Sequence, residues 1–120
     1  MKPYSRSDRV GGLIQHVLAE LLQKEISDPR LAQTTITSVK VSRDLRIAKV
    51  YFATTGKEGA SQAAMEGFDR ARGFVKRELA QRLGLRYMPE LKFFYDDTID
   101  RGARIEQLIK MVKKNAKADH

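Results

Sequence analysis

The sequence predicts an α+β domain in which helices pack on one face of a small sheet, and three observations predict it. Apolar residues recur at helical spacing between Val10 and Ile26. The pattern then switches to alternating, β-branched residues between Thr35 and Ala53. A second helical period, one more alternating run and a last helical stripe follow, giving the order helix, strand, strand, helix, strand, helix. With 120 residues, of which 42% are hydrophobic, the chain can bury one core and no more. Residues 1–114 are read as the single domain and 115–120 as a short, disordered basic tail.

The first helix is set by Val10, Leu13, Ile14, Val17, Leu18, Leu21, Leu22 and Ile26, which fall on one stripe. Ser5 or Ser7 serves as its N-cap, and Asp28-Pro29 stops it, because the residue before proline is driven out of the helical region. Gly11 and Gly12 weaken the first turn, a sign of local flexibility or of close packing. The words ITSVKVS and IAKVYFA predict two antiparallel strands joined by the basic loop Arg43-Asp44-Leu45-Arg46. After the loop TTGKEG, Ser61 is the expected N-cap of a helix that ends near Leu83, with Gly84 as its left-handed C-terminal residue. LKFFYD predicts a third strand with Leu91, Phe93 and Tyr95 on one face and Lys92 and Phe94 on the other. A last helix from about Ile99 to Lys114 puts Ile105, Leu108, Ile109 and Val112 on one stripe.

Charge points to a partner. Lys and Arg number 23 against 15 Asp and Glu, a formal net charge of +8, and a polyanion is the natural counterpart of such a surface. Between Ser5 and Arg30 the charges cancel. The excess lies in Lys40, Arg43, Arg46, Lys49 and Lys57 against Asp44 alone, then in Arg70 to Lys92, then in the tail. There is no cysteine, which excludes disulfides, thiolate nucleophiles and Cys-based zinc sites. No apolar run is long enough to cross a bilayer and MKPYSRSDRV does not read as a signal peptide, so a soluble, cytoplasmic, monomeric protein without membrane contact is expected.

Catalytic chemistry finds few candidates. The two histidines are His16, beside the first apolar stripe, and His120; no nucleophile triad, H-E-x-x-H, Walker A lysine or G-x-G-x-x-G is present. Asp96, Asp97 and Asp100 have the chemistry to hold magnesium, but they sit where the last helix starts and negative groups are favoured by its open N–H groups; capping is the preferred reading. Phe52, Phe93 and Tyr95 are assigned to the core by strand alternation, which leaves Tyr51 and Phe94 either packed or free to stack on unpaired bases.

The strongest binding candidate is DRARGFVKREL, Asp69 to Leu79. Arg70 and Arg77 share one flank of the helix, Arg72 and Lys76 another, and Gly73 stands between them at a cost of about 1 kcal/mol relative to alanine. Three readings stand: close helix packing that admits no side chain, an ordinary solvated charged face, or a bend that opens backbone N–H groups toward an anion.

The chain resembles the ribosome-binding factor A family of bacteria. The resemblance is carried by the first helix ending in Ser27-Asp28-Pro29-Arg30-Leu31, by VSRDLRIAKVYF (Val41 to Phe52), by Ala71-Arg72-Gly73 and by MPELKFFYDDTID (Met88 to Asp100). It implies a type II K-homology-like domain, a three-stranded sheet with helices on one face, whose kinked central helix carries Ala-x-Gly, here Ala71, Arg72 and Gly73, in place of the usual Gly-x-x-Gly loop. It further implies a noncatalytic ribosome assembly factor, without cofactor or metal. Such a factor binds the free 30S small ribosomal subunit and its rRNA, assists late 16S rRNA maturation and supports growth in the cold. Ribosomal proteins and a maturation GTPase that aids release are the further partners implied. The alternative is a generic RNA-binding module or RNA chaperone without ribosome preference. Because Gly-x-x-Gly is absent, recognition of shape and phosphate is expected over base readout. Arg43, Arg46, Arg70, Arg72, Lys76, Arg77 and Arg86 are the expected contacts, and Lys110, Lys113, Lys114 and Lys117 add affinity without sequence preference.

Overall fold

The structure, a computed structural model, describes residues 5–55, 59–98 and 105–112. Helix α1 runs over Arg6–Lys24. Its start is fixed by a reciprocal pair: the Ser5 hydroxyl accepts from the Asp8 N–H at 3.2 Å, and the Asp8 carboxylate accepts from the Ser5 N–H at 3.3 Å. The helix ends before the expected proline stop. The N–H groups of Glu25 and Ile26 both donate to the Leu21 carbonyl, which closes the last turn, so Ile26 packs on the core from beyond the helix. Asp28 instead caps a 3-10 turn, Pro29–Leu31, accepting from the Arg30 N–H at 2.9 Å.

Strands β1 (Thr34–Val41) and β2 (Ile47–Thr54) pair antiparallel, and β3 (Glu90–Tyr95) adds parallel to β2, giving the order β1-β2-β3. A bulge between Ile36 and Ser38 shifts the phase of β1, so that Ile36 and then Val39 and Val41 all face inward. The bulged Thr37 is held from both sides: its carbonyl accepts from Gln15 Nε2 of α1 at 3.3 Å, and its hydroxyl donates to the Asp96 carboxylate at 2.7 Å. The outward rows follow from the register. Lys40, Lys49 and Lys92 are aligned across the three strands, and Ser38, Tyr51 and Phe94 form the adjoining row.

Helix α2 covers Ala60–Leu83. Its first residue is preceded by Gly59 in the left-handed region (φ 87°), and no side chain caps it; Ser61, expected at the cap, lies inside the first turn. The glycine turns the chain into the helix two residues sooner than the serine would, and the Gly59 carbonyl accepts from Ala63 N–H at 3.0 Å. The other end is as expected, with Gly84 at φ 61° and its N–H on the Ala80 carbonyl.

Helices α1 and α2 lie on one face of the sheet, and the core is the layer between them: Ile14, Leu18 and Leu21 from α1, Val50 and Phe52 from β2, Phe68, Val75 and Leu79 from α2, Leu91 and Phe93 from β3. Phe68 stacks on Phe93 at 4.5 Å between ring centroids and lies 5.0 Å from Phe52. Two glycines set how closely the layers approach. A Cβ at Gly11 would meet the Val39 carbonyl oxygen at 2.9 Å, and one at Gly67 would meet Leu31 Cγ at 3.0 Å. Residues 105–112 form a third helix, α3, whose Ile105, Leu108, Ile109 and Val112 are exposed rather than part of this layer. The expected start of that helix at Ile99, its end at Lys114 and the tail 115–120 lie outside the described residues. Among the described residues no helix is long and apolar enough to cross a membrane.

Candidate nucleic-acid interface

Arg70, Lys76 and Arg77 stand three or four residues from Gly73 along α2, so they ring it on the helix surface. All three are exposed, and among the described residues none forms an ion pair. A Cβ at Gly73 would meet nothing within 4 Å, which excludes close packing as the reason for the glycine. The segment Ala71-Arg72-Gly73 lies inside one uninterrupted helix, Ala60–Leu83, so its backbone N–H groups belong to the helix and are not opened toward an anion. What the glycine provides is a gap in the side-chain cover of the barrel. An anion there can approach the helix surface between three cations.

Arg72 does not join them. Expected among the rRNA contacts, it is only partly exposed: its guanidinium pairs with Asp69 at 2.9 Å and lies 5.7 Å above the ring of the buried Phe93, while its buried Nε has no hydrogen-bond partner. On a helical wheel it falls at the margin of the buried face rather than on the solvent side, and it helps to cover the aromatic core.

A second basic territory lies where the β1–β2 loop, the start of α1 and the α2–β3 connection meet. There Arg6, Arg46 and Arg86 border a groove of about 530 Å³ floored by Val10, Leu45 and Met88. The loop is tightly knitted. The Ser42 hydroxyl donates to the Asp44 carboxylate at 2.6 Å, that carboxylate accepts from the Arg46 N–H at 3.1 Å, and Leu45 takes a left-handed conformation (φ 61°) that places its side chain against the core. The same two bonds, Ser42 first, hold the Asp44 carboxyl below its usual range, so the loop keeps a negative charge beside its arginines. Arg46 reaches Asp44 only at 3.9 Å and its side chain is 85% exposed; Arg43 is exposed on the same loop. Tyr87, 77% exposed, lies beside the groove with the Arg86 guanidinium 5.5 Å above its ring.

The expected contacts thus divide. Arg70, Lys76 and Arg77 gather on α2, Arg43, Arg46 and Arg86 gather at the loop end, and Lys110 is exposed on α3; Lys113, Lys114 and Lys117 lie outside the described residues. The groove also brings in Arg6 and Tyr87, which the sequence did not single out. Arg6 was masked by the neutral balance of its segment, whereas Tyr87, an aromatic in a connection before proline, was a legible signal. Asp96 accepts from the Thr98 N–H at 3.0 Å and, across the sheet, from the Thr37 hydroxyl at 2.7 Å; Asp100 and the expected helix start that the capping reading invokes lie outside the described residues. Among the described residues no cluster of His, Cys, Asp and Glu is arranged to hold a metal ion.

Comparison with known proteins bears directly on this geometry. The family model described as ribosome-binding factor A matches residues 6–109. Ribosome-binding factor A of Desulfatibacillum aliphaticivorans is 51% identical over 112 residues, covering 93% of this chain and 91% of its own length. That of Thioalkalivibrio sulfidiphilus is 45% identical over 119 residues, covering 99% and 92%. Among solved structures, the crystal structure of ribosome-binding factor A from Thermus thermophilus superposes with a TM-score of 0.66 at 28% identity, covering 74% of this chain and 94% of that one. A Thermus thermophilus ribosome-binding factor A homology model, fitted into the cryo-electron-microscopy map of a 30S–RbfA complex, gives 0.58 at 31% identity, covering 72% and 90%. These relatives share the K-homology-like fold seen here, a mixed three-stranded sheet with helices. With the family model spanning most of the chain and relatives matching over nearly all of it, the chain belongs to the ribosome-binding factor A family.

Proposed function

We propose that the protein is a noncatalytic assembly factor that binds the free small ribosomal subunit, contacts its rRNA and assists late maturation of 16S rRNA, including in the cold. The observation that carries the reading is the ring of three exposed cations around the side-chain gap at Gly73, in a chain whose relatives include one fitted into a 30S complex. Phosphates are the groups such a ring accepts, and one that enters it is held by charge and by fit to the helix surface. Arg43, Arg46 and Arg86 extend the contact at the loop end, and Lys110, Lys113 and Lys114 add affinity that does not depend on sequence. The protein acts as a monomer in the cytoplasm, with ribosomal proteins and a maturation GTPase as further partners.

Co-sedimentation with purified free 30S subunits tests this. Wild-type protein should travel with the subunit at low salt, and Arg70→Glu with Lys76→Glu and Arg77→Glu should abolish that while leaving the melting temperature nearly unchanged. Arg72→Glu should lower stability as well, since Arg72 covers Phe93. A wild-type chain that binds bulk RNA as tightly as subunits would instead mark the generic RNA-binding alternative.

A further inference from the structure

The sheet face turned away from α1 and α2 carries a pattern that the helix-side contacts do not use. Lys40, Lys49 and Lys92 are direct neighbours across all three strands and are exposed. Cross-strand neighbours lie about 5 Å apart at Cβ, where like charges repel, so the row lowers the stability of the sheet on its own. Among the described residues none of these lysines has an ion-pair partner, and the one acidic residue in the three strands, Glu90, lies a row further on. In the next row toward the other end, Tyr51 and Phe94 stack with ring centroids 5.6 Å apart, and Phe94 remains 40% exposed. Lys40 Nζ sits 5.8 Å from the centre of the Tyr51 ring, joining the two rows.

A cross-strand aromatic pair stabilises a sheet by itself, which accounts for Tyr51 and Phe94 touching. It does not account for an adjacent row of three cations without counter-charges. Rows on one face are two residues apart along a strand, about 7 Å, a distance comparable to the reach from a base to its own phosphate. Flat apolar rings beside a line of ammonium groups match one ligand chemistry in particular, an unpaired nucleotide strand whose bases stack while its phosphates are neutralised. Duplex RNA has no free base faces to offer. An acidic protein surface would satisfy the lysines and leave the rings unused.

We infer that this open sheet face binds a single-stranded RNA segment, with a base stacked on Phe94 and Tyr51 and its phosphates along Lys40, Lys49 and Lys92. The inference rests on the rRNA-binding reading above and adds to it a second surface and the strandedness of what that surface takes.

Fluorescence anisotropy of the full chain with a labelled ten-nucleotide oligouridylate, and with a duplex RNA of the same length, tests it. Phe94→Leu should weaken oligouridylate binding about tenfold and leave duplex binding unchanged, while Phe94→Tyr, which keeps the ring, should restore it. Lys40→Gln with Lys49→Gln and Lys92→Gln should flatten the log–log salt slope by about two. Folded Phe94→Leu and Tyr51→Leu variants that bind oligouridylate like wild type would overturn the inference, as would a wild-type chain that does not bind it at all. So would cross-linking of this face to a ribosomal protein with oligouridylate binding unaffected by the lysine changes. Subunit co-sedimentation separates the two proposals: loss of binding on reversing Arg70, Lys76 and Arg77, with Phe94→Leu neutral toward oligouridylate, sinks the sheet-face inference alone.

Discussion

At Arg82 three carboxylates converge: Glu25 at 2.7 Å, Glu78 at 3.5 Å and Glu20 at 3.6 Å, so this one cation ties the end of α2 to the end of α1. It is the counter-example to the cations around Gly73, since its charge is already satisfied within the fold. Arg82→Ala should lower unfolding free energy by about 1 kcal/mol in urea titration, partly because it leaves the carboxylates facing one another, and should leave subunit binding intact. Asp28 shows the same logic with a pH signature. Arg30 donates to its carboxylate through Nε at 3.0 Å and through the terminal nitrogen at 2.6 Å, and adds its backbone N–H; these bonds hold the Asp28 pKa at about 2 against an ordinary 3.8. A pKa lowered by folding gives stability that is complete above the unfolded value and disappears as pH falls through the folded one. The wild-type melting temperature should therefore drop between pH 4 and pH 2. Asp28→Asn, less stable at pH 7, should drop less over that interval, and the two curves should converge near pH 2.

The helices show what element-level reading of the sequence can and cannot reach. Gly11, Gly67 and Gly73 all sit inside amphipathic helices and look alike in the sequence, yet their surroundings differ: a carbonyl at 2.9 Å, a leucine at 3.0 Å and open space. Gly73→Ala should raise stability by about 1 kcal/mol, because alanine is the better helix former and its methyl meets nothing. Gly67→Ala should lower it by about 1–3 kcal/mol as Leu31 is displaced, and Gly11→Ala at least as much, since its obstacle is backbone. Thermal melts of the three variants check the order. The distinction was not legible because it depends on which element faces each glycine, a tertiary fact. Local signals fared better: the Ser5 cap, the alternation that placed Phe52 and Phe93 in the core, and the Gly84 stop all depend on neighbours within a few residues. Ser61 failed for the same reason in reverse, because Gly59 could set the start of α2 without any side chain.

Charge placement decides what the whole molecule can do. The net +8 was plain from composition, and the α2 cluster from its spacing; the groove was not, because Arg6, Arg46 and Arg86 come from three distant parts of the chain and meet only through the fold. The cations Arg30, Arg72 and Arg82 are paired within the fold, while Arg43, Arg70, Lys76, Arg77 and Arg86 are exposed and Arg46 is weakly paired, and on the proposed function these six are the ones offered to the subunit. Each phosphate neutralised by one of these releases about 0.7–0.9 of a condensed counterion. If these six alone engage, the log of subunit affinity should fall against the log of salt concentration with a slope of about −4 to −5, and a sheet face that also holds rRNA through Lys40, Lys49 and Lys92 should steepen it by about two. Arg77→Gln and Arg46→Gln should each flatten that slope by about one, because each removes one phosphate contact. Arg82→Gln should shift stability and leave the slope alone, since that charge is already paired with carboxylates of the fold. A titration of 30S binding between about 50 and 200 mM salt for the three variants reads all of this at once. Equal flattening by Arg82→Gln would mean that the division between structural and binding cations drawn from the ion pairs is wrong.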